Sequence, residues 1–280
     1  MKLKFHDFEF DFLKKTYIMG IVNVTPDSFF DGGRYFNVEQ AVERGIRLAE
    51  EGADILDIGG ESTRPGSEPV SVDEELKRVL PVIEKLSKKV NIPISIDTYK
   101  AQVAEEAIKA GATIINDISG LRFDPDMARI AAKYDVPVVI MHIKGAPKDM
   151  QKNPHYVALI PEIIEYLRES IIIAKNSGLD ENKIIIDPGI GFGKTPEHNL
   201  EIIKNLKDFT LLEKPILIGP SRKSFIGKVL DEPSPENRLE GTASAVAISV
   251  FNGANIIRVH DVAYMVKIVK MADAIKFGRC

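Results

Sequence analysis

What the chain has little of narrows its reading first. Its single cysteine, Cys280, is the last of 280 residues. No disulfide framework can form within the chain, which suits a reducing cytosol. No apolar run approaches the roughly 18 residues that a membrane span needs, so none is expected. The opening stretch, MKLKFHDFEFDF, carries acids among its apolar positions and is not expected to be a signal peptide. The Asn23-Val24-Thr25 triplet is then only a chance match to a glycosylation site. There is no basic block, and 37 Lys and Arg against 41 Asp and Glu leave a formal net charge of −4. Broad nucleic-acid affinity is not expected, so any anionic ligand needs a local cluster of cations. Two phosphate-binding fingerprints also fail at PGIGFGKT, residues 188–195. A P-loop needs Gly where Pro188 stands, and Lys194 fills the last glycine position of a GxGxxG. The glycines instead let the backbone pass close to a flat ligand after Asp187, with Phe192 stacking nearby.

What is present is ordinary in composition, 44% hydrophobic and 28% charged, and long enough to bury a sizeable core. Phe8, Phe10 and Phe12 alternate with Glu9 and Asp11, which reads as a short strand and half of an N-terminal β-hairpin over residues 1–15. From Tyr17 a unit recurs: an apolar run, a polar cluster, an amphipathic helix. The runs end at Asn23, Asp57, Asp97, Asn116, His142, Asp187, Gly219 and His260. Their spacing, on the order of 35 residues, suits a strand with its return helix. Helices are predicted over 38–51, 72–90, 100–110, 126–135, 161–177, 197–206, 237–252 and 261–277. Ser71-x-x-Glu74 reads as a capping box, and Gly52, Gly111, Gly178 and Gly253 read as helix ends. Eight such units with no linker between them predict one (β/α)8 TIM barrel domain over residues 1–280. The alternative is a doubly wound sheet. It usually carries a glycine fingerprint after its first strand, where this chain has Asn23-Val24-Thr25-Pro26.

A barrel gathers all eight strand C-termini on one rim. Here that rim would hold Asn23, Asp57, Asp97, Asn116, Asp187, Lys223, Arg258 and His260. Buried carboxylates and amides need partners. A flat heterocycle with an amino-pyrimidinone edge supplies them, because a carboxylate accepts two parallel N–H bonds and an Asn both donates and accepts. For Asp97 and Asn116 the plain alternative is capping of the helix that follows. Arg258 and His260 lie two apart on a strand and share a side. With Lys223 they form a candidate anion site, although Arg222-Lys223 also reads as a solvated basic turn and His260 as a helix cap. Neutral oxygens on Asn23, Thr25 and Ser28 beside a phosphate suit Mg²⁺ that keeps several waters. Two long loops, 25–36 and 59–70, look like covers over the rim. They carry Phe29 and Arg34, and Arg64 and Pro65.

The segments GIVNVTPDSFFDGG, DIGGESTRPG, ISIDTYK, INDISG, MH, DPGIGFGK, GPSRKSFIG and RVHDV together resemble the dihydropteroate synthase family over nearly the whole chain. The resemblance implies a (β/α)8 barrel, usually homodimeric and cytoplasmic. It joins a 7,8-dihydropterin-6-ylmethyl diphosphate to 4-aminobenzoate and releases pyrophosphate. Neither a nucleic acid nor a membrane is an expected partner. By motif, Asp97, Asn116, Asp187 and Lys223 would hold the pterin, with Met141, Phe192 and Gly219 lining its pocket. Arg258, His260, Asn23 and Mg²⁺ would hold the diphosphate, helped by Thr63 and Arg64. Phe29, Pro65, Ser221 and Lys223 would surround the aminobenzoate, and Asp97, Asp187, Lys223 and Arg258 would carry the catalysis. Phe30 and Ile143 depart from the residue types common in the family at those positions. A pterin-dependent methyltransferase serving a corrinoid protein, a Schiff-base aldolase using Lys223 and a silent pterin-binding module are the rival readings.

Overall fold

The computed structural model describes residues 1–25 and 38–279. Ser28, Phe29, Phe30 and Arg34, singled out in the sequence, lie outside the described residues. An antiparallel hairpin of β1 (Lys2–Phe5) and β2 (Phe8–Asp11) precedes a parallel sheet. That sheet comprises β3 (Tyr17–Asn23), β4 (Ile55–Gly59), β5 (Ile94–Asp97), β6 (Ile114–Asp117), β7 (Val138–Met141), β8 (Ile184–Asp187), β9 (Leu217–Ile218) and β10 (Ile256–Val259). Its order is β8-β7-β6-β5-β4-β3-β10-β9, and a parallel bridge from Ile186 to Ile216 joins the two outer strands. The sheet thus closes into the barrel expected from the alternation.

Strand periodicity explains both the core and the rim. Side chains on a strand alternate between two faces. Ile18, Leu56, Ile96, Ile115, Val138, Ile140, Ile186, Ile218 and Ile257 face outward and pack in the core shared with the helices. Met19, Ile55, Ile114, Val139, Ile185, Leu217 and Ile256 face inward as one apolar layer. The hairpin seals that layer from below with Leu3, Phe5, Phe10 and Phe12. The Phe10 ring stacks on Tyr17 at 4.3 Å between centroids. Two residues up from the inward layer, the same face carries Asp57, Asn116, Met141, Asp187, Gly219 and Arg258. The apolar floor therefore fixes the polar rim by parity alone.

The helices are α1 (Val38–Glu50), α2 (Val72–Leu86), α3 (Ala101–Lys109), α4 (Met127–Tyr134), α5 (Leu159–Asn176), α6 (Pro196–Lys204), α7 (Ser224–Leu230), α8 (Leu239–Phe251) and α9 (Val262–Phe277). Three details differ from the sequence reading. Helix α7 was not foreseen; at seven residues it is too short for a periodic pattern to register. Helix α2 stops at Leu86 rather than at residue 90, where the chain must turn towards Ile92-Pro93 and an extended backbone. The expected capping box is half formed: Ser71 Oγ accepts from Glu74 N at 3.2 Å, but the Glu74 carboxylate accepts from Arg78 Nε instead. No helix among the described residues is long and apolar enough to cross a membrane.

Candidate active site

At the centre of the rim Arg258, from β10, reaches across the barrel. Its Nε donates to Asp57 Oδ2 and its Nη2 to Asp97 Oδ2, both at 2.6 Å. Asn116 Nδ2 donates to the same Asp57 oxygen at 3.0 Å. Strand register brings these groups together, since Asp97 pairs with Asn116 across β5 and β6 and Gly59 pairs with Asp97 across β4 and β5. Capping does not explain Asp97 or Asn116. Neither α3 nor α4, the helices that follow them, has a side-chain cap, and the Ala101 N–H of α3 is taken by Asp124 Oδ2. The other oxygens, Asp57 Oδ1 and Asp97 Oδ1, are buried without a hydrogen-bond partner. Two such buried acceptors are costly unless a donor meets them. Burial pushes the Asp97 carboxyl up from its ordinary value, with Arg258 pulling it back and Asp57 adding to the rise. Burial opposes the charge of Arg258, yet Asp57 and Asp97 hold its pKa above the ordinary arginine value.

Asp187 and Lys223 occupy the next sector. Asp187 Oδ1 accepts from Gly189 N at 2.7 Å. Burial raises its pKa, against the Gly189 bond and the charge of Lys223. Lys223 Nζ donates to the Ile190 carbonyl and lies 4.5 Å from the centre of the Phe192 ring. Burial lowers its pKa to about 8, opposed by Asp187 and reinforced by Arg258. The loop from Pro188 to Gly193 needs its glycines. A Cβ on Gly189, whose φ is +72°, would stand 1.9 Å from the His142 carbonyl oxygen. Phe192 and Met141 belong to a small apolar cluster with Ile118, Ile143 and Met150. Ile143, the departure noted in the sequence, is therefore a packing residue beneath that loop. Gly219, the first residue after β9, sits against the Arg258 side chain, where a Cβ would meet Arg258 Cβ at 3.6 Å.

Sequence reasoning missed Lys194. It is buried, and its Nζ bonds His142 Nδ1 at 2.8 Å and the Phe192 carbonyl at 2.9 Å. Burial drives its pKa well below the ordinary lysine value, Asp187 opposing. The GKT ending is thus a tether for the glycine loop. The only signal was a lysine inside an otherwise small and apolar stretch.

The third sector gathers His260, Ser221 and the 59–70 loop. Ser221 Oγ lies 3.0 Å from His260 Nδ1 and accepts from His260 N at 3.2 Å. Burial lowers the His260 pKa to about 3, with Arg258, Arg222 and Arg64 adding to the fall, so the ring is neutral at physiological pH. The 59–70 loop leaves from the same rim, since Gly59 pairs with Asn23 at the end of β3 and with Asp97 at the end of β5. That loop is stapled at its base by Glu61, which accepts from Tyr99 Oη at 2.6 Å, Lys100 Nζ at 2.5 Å and Val70 N at 2.9 Å. Thr63 is half-buried, while Arg64 and Pro65 are exposed. Arg222 is not part of the site. Its guanidinium forms a bidentate pair with Asp261, Nε to Oδ2 at 2.9 Å and Nη2 to Oδ1 at 2.5 Å.

Among the described residues no group of three or more His, Cys, Asp or Glu side chains could hold a metal ion. Asn23, half-buried at the end of β3, offers one neutral oxygen. That donor fits Mg²⁺ only where the ion draws most of its ligands from phosphate and water.

Comparison with known proteins agrees with this geometry. The pterin binding enzyme family matches residues 19–260. A dihydropteroate synthase of Bacillus subtilis is 51% identical over 261 residues, which cover 93% of this chain and 89% of that one. A Xanthomonas albilineans dihydropteroate synthase solved with 4-aminobenzoic acid superposes with a TM-score of 0.92 at 44% identity, covering 98% of each chain. A Yersinia pestis dihydropteroate synthase solved in a sulfonamide drug complex gives a TM-score of 0.93 at 42% identity over the full length of both chains.

Proposed function

Since the chain belongs to the pterin-binding enzymes and, within them, to the dihydropteroate synthases, we propose that its rim carries out the transfer in three sectors. The reaction is the condensation of (7,8-dihydropterin-6-yl)methyl diphosphate with 4-aminobenzoate, in folate biosynthesis. Asp97, Asn116, Asp187 and Lys223 hold the pterin, with Met141, Phe192 and Gly219 against its faces. Arg258, His260 and Asn23 hold the diphosphate, aided by Thr63 and Arg64. Ser221, Lys223 and Pro65 surround the aminobenzoate.

The observation that carries this reading is the pair of buried, unpartnered oxygens on Asp57 and Asp97 beside Asn116. A 2-amino-4-oxo pyrimidine edge presents two or more N–H donors, which such acceptors need. Asn116, its Nδ2 committed to Asp57, offers its amide oxygen. No protein nucleophile is required. The bond from the exocyclic carbon to the diphosphate oxygen breaks, and its electron pair leaves with the diphosphate. The pterin ring spreads the positive charge left behind, and Asp97 and Asp187 favour that charge electrostatically. The amine nitrogen of aminobenzoate then forms the new C–N bond and loses one proton. Arg258 and a neutral His260 donate to the departing diphosphate, and His260 does so without having to shed a proton itself. Bound Mg²⁺, on Asn23, would supply further neutralisation of diphosphate charge.

Two other features belong to the same reading. A sulfonamide, whose aniline and acidic sulfonyl group mimic aminobenzoate, takes the aminobenzoate place. The protein works in the cytoplasm as a homodimer, formed through the outer faces of α8 and α9. Those faces expose Ile248, Phe251, Met271 and Ile275, each more than half accessible. They line an apolar groove of about 350 Å³ with Ala247, Ile268 and Ala272.

The test is pyrophosphate release. The expected result is release with the pterin diphosphate and 4-aminobenzoate together, and only background with either omitted. Release that ignores aminobenzoate would overturn the proposal.

A further inference from the structure

Arg222 stands between two residues of the proposed site and contacts neither ligand sector itself. Its φ is +57°, in the left-handed region that an arginine adopts only under constraint. The constraint is visible at each of its polar groups. The Arg222 N–H donates to Thr242 Oγ1 of α8 at 3.0 Å. Its carbonyl accepts from Arg238 Nη1 at 2.9 Å. Its guanidinium is held by Asp261, just before α9.

Arg238 is unusual in its own right. It is buried, 8% exposed, and its guanidinium donates only to carbonyl oxygens: Nη1 to Arg222, Nε to Glu232 at 3.1 Å and Nη2 to Pro233 at 2.5 Å. Space for it exists because residue 227 is glycine, since a Cβ there would lie 2.5 Å from Arg238 Nε. A buried cation fastened to three turn carbonyls is a means of fixing backbone, with planar fork geometry that lysine cannot copy. Thr242 is fully buried, so its hydroxyl is the inward-facing acceptor for the Arg222 N–H.

The residues on either side are set by this clamp. Ser221, 5% exposed, bonds His260, and Lys223 bonds the Ile190 carbonyl beside Phe192. If Arg222 relaxed to a right-handed or extended conformation, the peptide planes on both sides would rotate and move these two side chains apart from their partners. We infer that Arg238 and Thr242 are positioning residues for the transfer reaction, which hold Arg222 left-handed and thereby place Ser221 and Lys223 for the aminobenzoate. The inference rests on the assignment of Ser221 and Lys223 to that substrate.

The experiment compares Thr242→Val, Thr242→Ser, Arg238→Ala and Ser221→Ala by steady-state kinetics with both substrates, alongside thermal unfolding. Val keeps the shape of Thr242 and removes the acceptor. Thr242→Val and Arg238→Ala are expected to raise the KM for 4-aminobenzoate about tenfold, the scale of one lost positioning bond. The KM for the pterin diphosphate should rise as well, because Lys223 also holds the pterin, but by a smaller factor. Thr242→Ser should behave like wild type, and added guanidinium should partly restore Arg238→Ala. Ser221→Ala is the control on the underlying assignment. If it leaves the aminobenzoate KM unchanged, the assignment of Ser221 is wrong and the inference falls with it. If it raises that KM while Thr242→Val does not, only the clamp is wrong. Lower unfolding temperatures with both KM values unchanged would also overturn it, because Arg238 and Thr242 would then serve folding alone.

Discussion

Arg258 Nη2 and Asp97 Oδ2 stand 2.6 Å apart although 161 residues separate them in the chain. This bond crosses the barrel mouth from β10 to β5 and, with the Asp57 bond, ties one guanidinium to two carboxylates. Charge-assisted bonds of this kind are strong and directional. They leave Asp97 oriented, with its second oxygen buried and unpartnered.

Asp97→Asn is therefore expected to abolish most turnover while leaving the fold in place. An amide keeps the volume and one acceptor oxygen, but it cannot accept two parallel N–H bonds or offset a developing cation. The loss in kcat should be about a hundredfold or more, the scale of one electrostatic stabiliser. Rates at the wild-type level in a pyrophosphate-release assay would remove Asp97 from the mechanism.

Lys223 links activity to stability with opposite signs. Its pKa in the folded protein is about 8, against an ordinary value of 10.5. Between these values the folded state binds fewer protons than the unfolded chain, so this group makes stability rise with pH. Below about pH 8 both states hold the proton, and the fold bears a poorly solvated ammonium. Lys223→Met should thus raise the unfolding temperature at pH 7, with a smaller gain at pH 10, while removing activity. Scanning fluorimetry at the two pH values checks this. A variant destabilised equally at both would show that the Asp187 pairing outweighs desolvation.

The barrel was legible because its signals are redundant. Eight apolar runs, each ending in a polar residue, needed only parity to place Asp97, Asn116, Asp187 and Arg258 on one rim. Which charges pair across that rim was not legible. Arg258 and His260 were expected to face an anion together, since they lie two apart. The structure without ligand has Arg258 bound to Asp57 and Asp97, and His260 bound to Ser221. Strand spacing sets a side chain's face but carries no information about partners from other strands. The same limit hid Arg222, which reads as a rim cation beside Lys223 until its left-handed backbone turns its guanidinium to Asp261. Lys194 was discounted because it broke a motif, and its role as a tether depends on His142, 52 positions earlier.

The outer faces of α8 and α9 make a prediction about assembly. Phe251 is 62% exposed and Met271 61%, on neighbouring helices whose shared groove is lined by apolar side chains. Contiguous apolar surface of this kind is uncommon on monomers. Light scattering should give twice the 31.0 kDa chain mass, and Phe251→Glu should shift the equilibrium to monomer. A concentration-independent monomer in the wild type would sink the homodimer.

The order of binding follows from the electrostatics of the third sector. Burial keeps the His260 ring neutral, with Arg258, Arg222 and Arg64 adding to the effect. Arg258 and Arg222 are already paired with Asp57, Asp97 and Asp261, so Arg64, exposed on the 59–70 loop, is the cation of this sector proposed to engage a bound diphosphate or pyrophosphate. Glu61 fixes the base of this loop but Arg64, Pro65 and Gly66 at its tip are exposed. Loop tips of this kind lie at the low-stability end of a structure. Pro65, a proposed wall of the aminobenzoate place, follows Arg64 directly in the chain and is expected to shift with it. If the loop is set for aminobenzoate in about 1% of molecules without an anion, the observed affinity falls roughly a hundredfold, or about 2.7 kcal/mol. Pyrophosphate would restore it, and linkage requires aminobenzoate to tighten pyrophosphate by the same factor. A sulfonamide should show the same dependence. Calorimetric titration of aminobenzoate with Mg²⁺ present, with and without pyrophosphate, measures the factor directly. Equal affinities in the two titrations would mean that the loop is already set in the free protein, and binding would then be unordered.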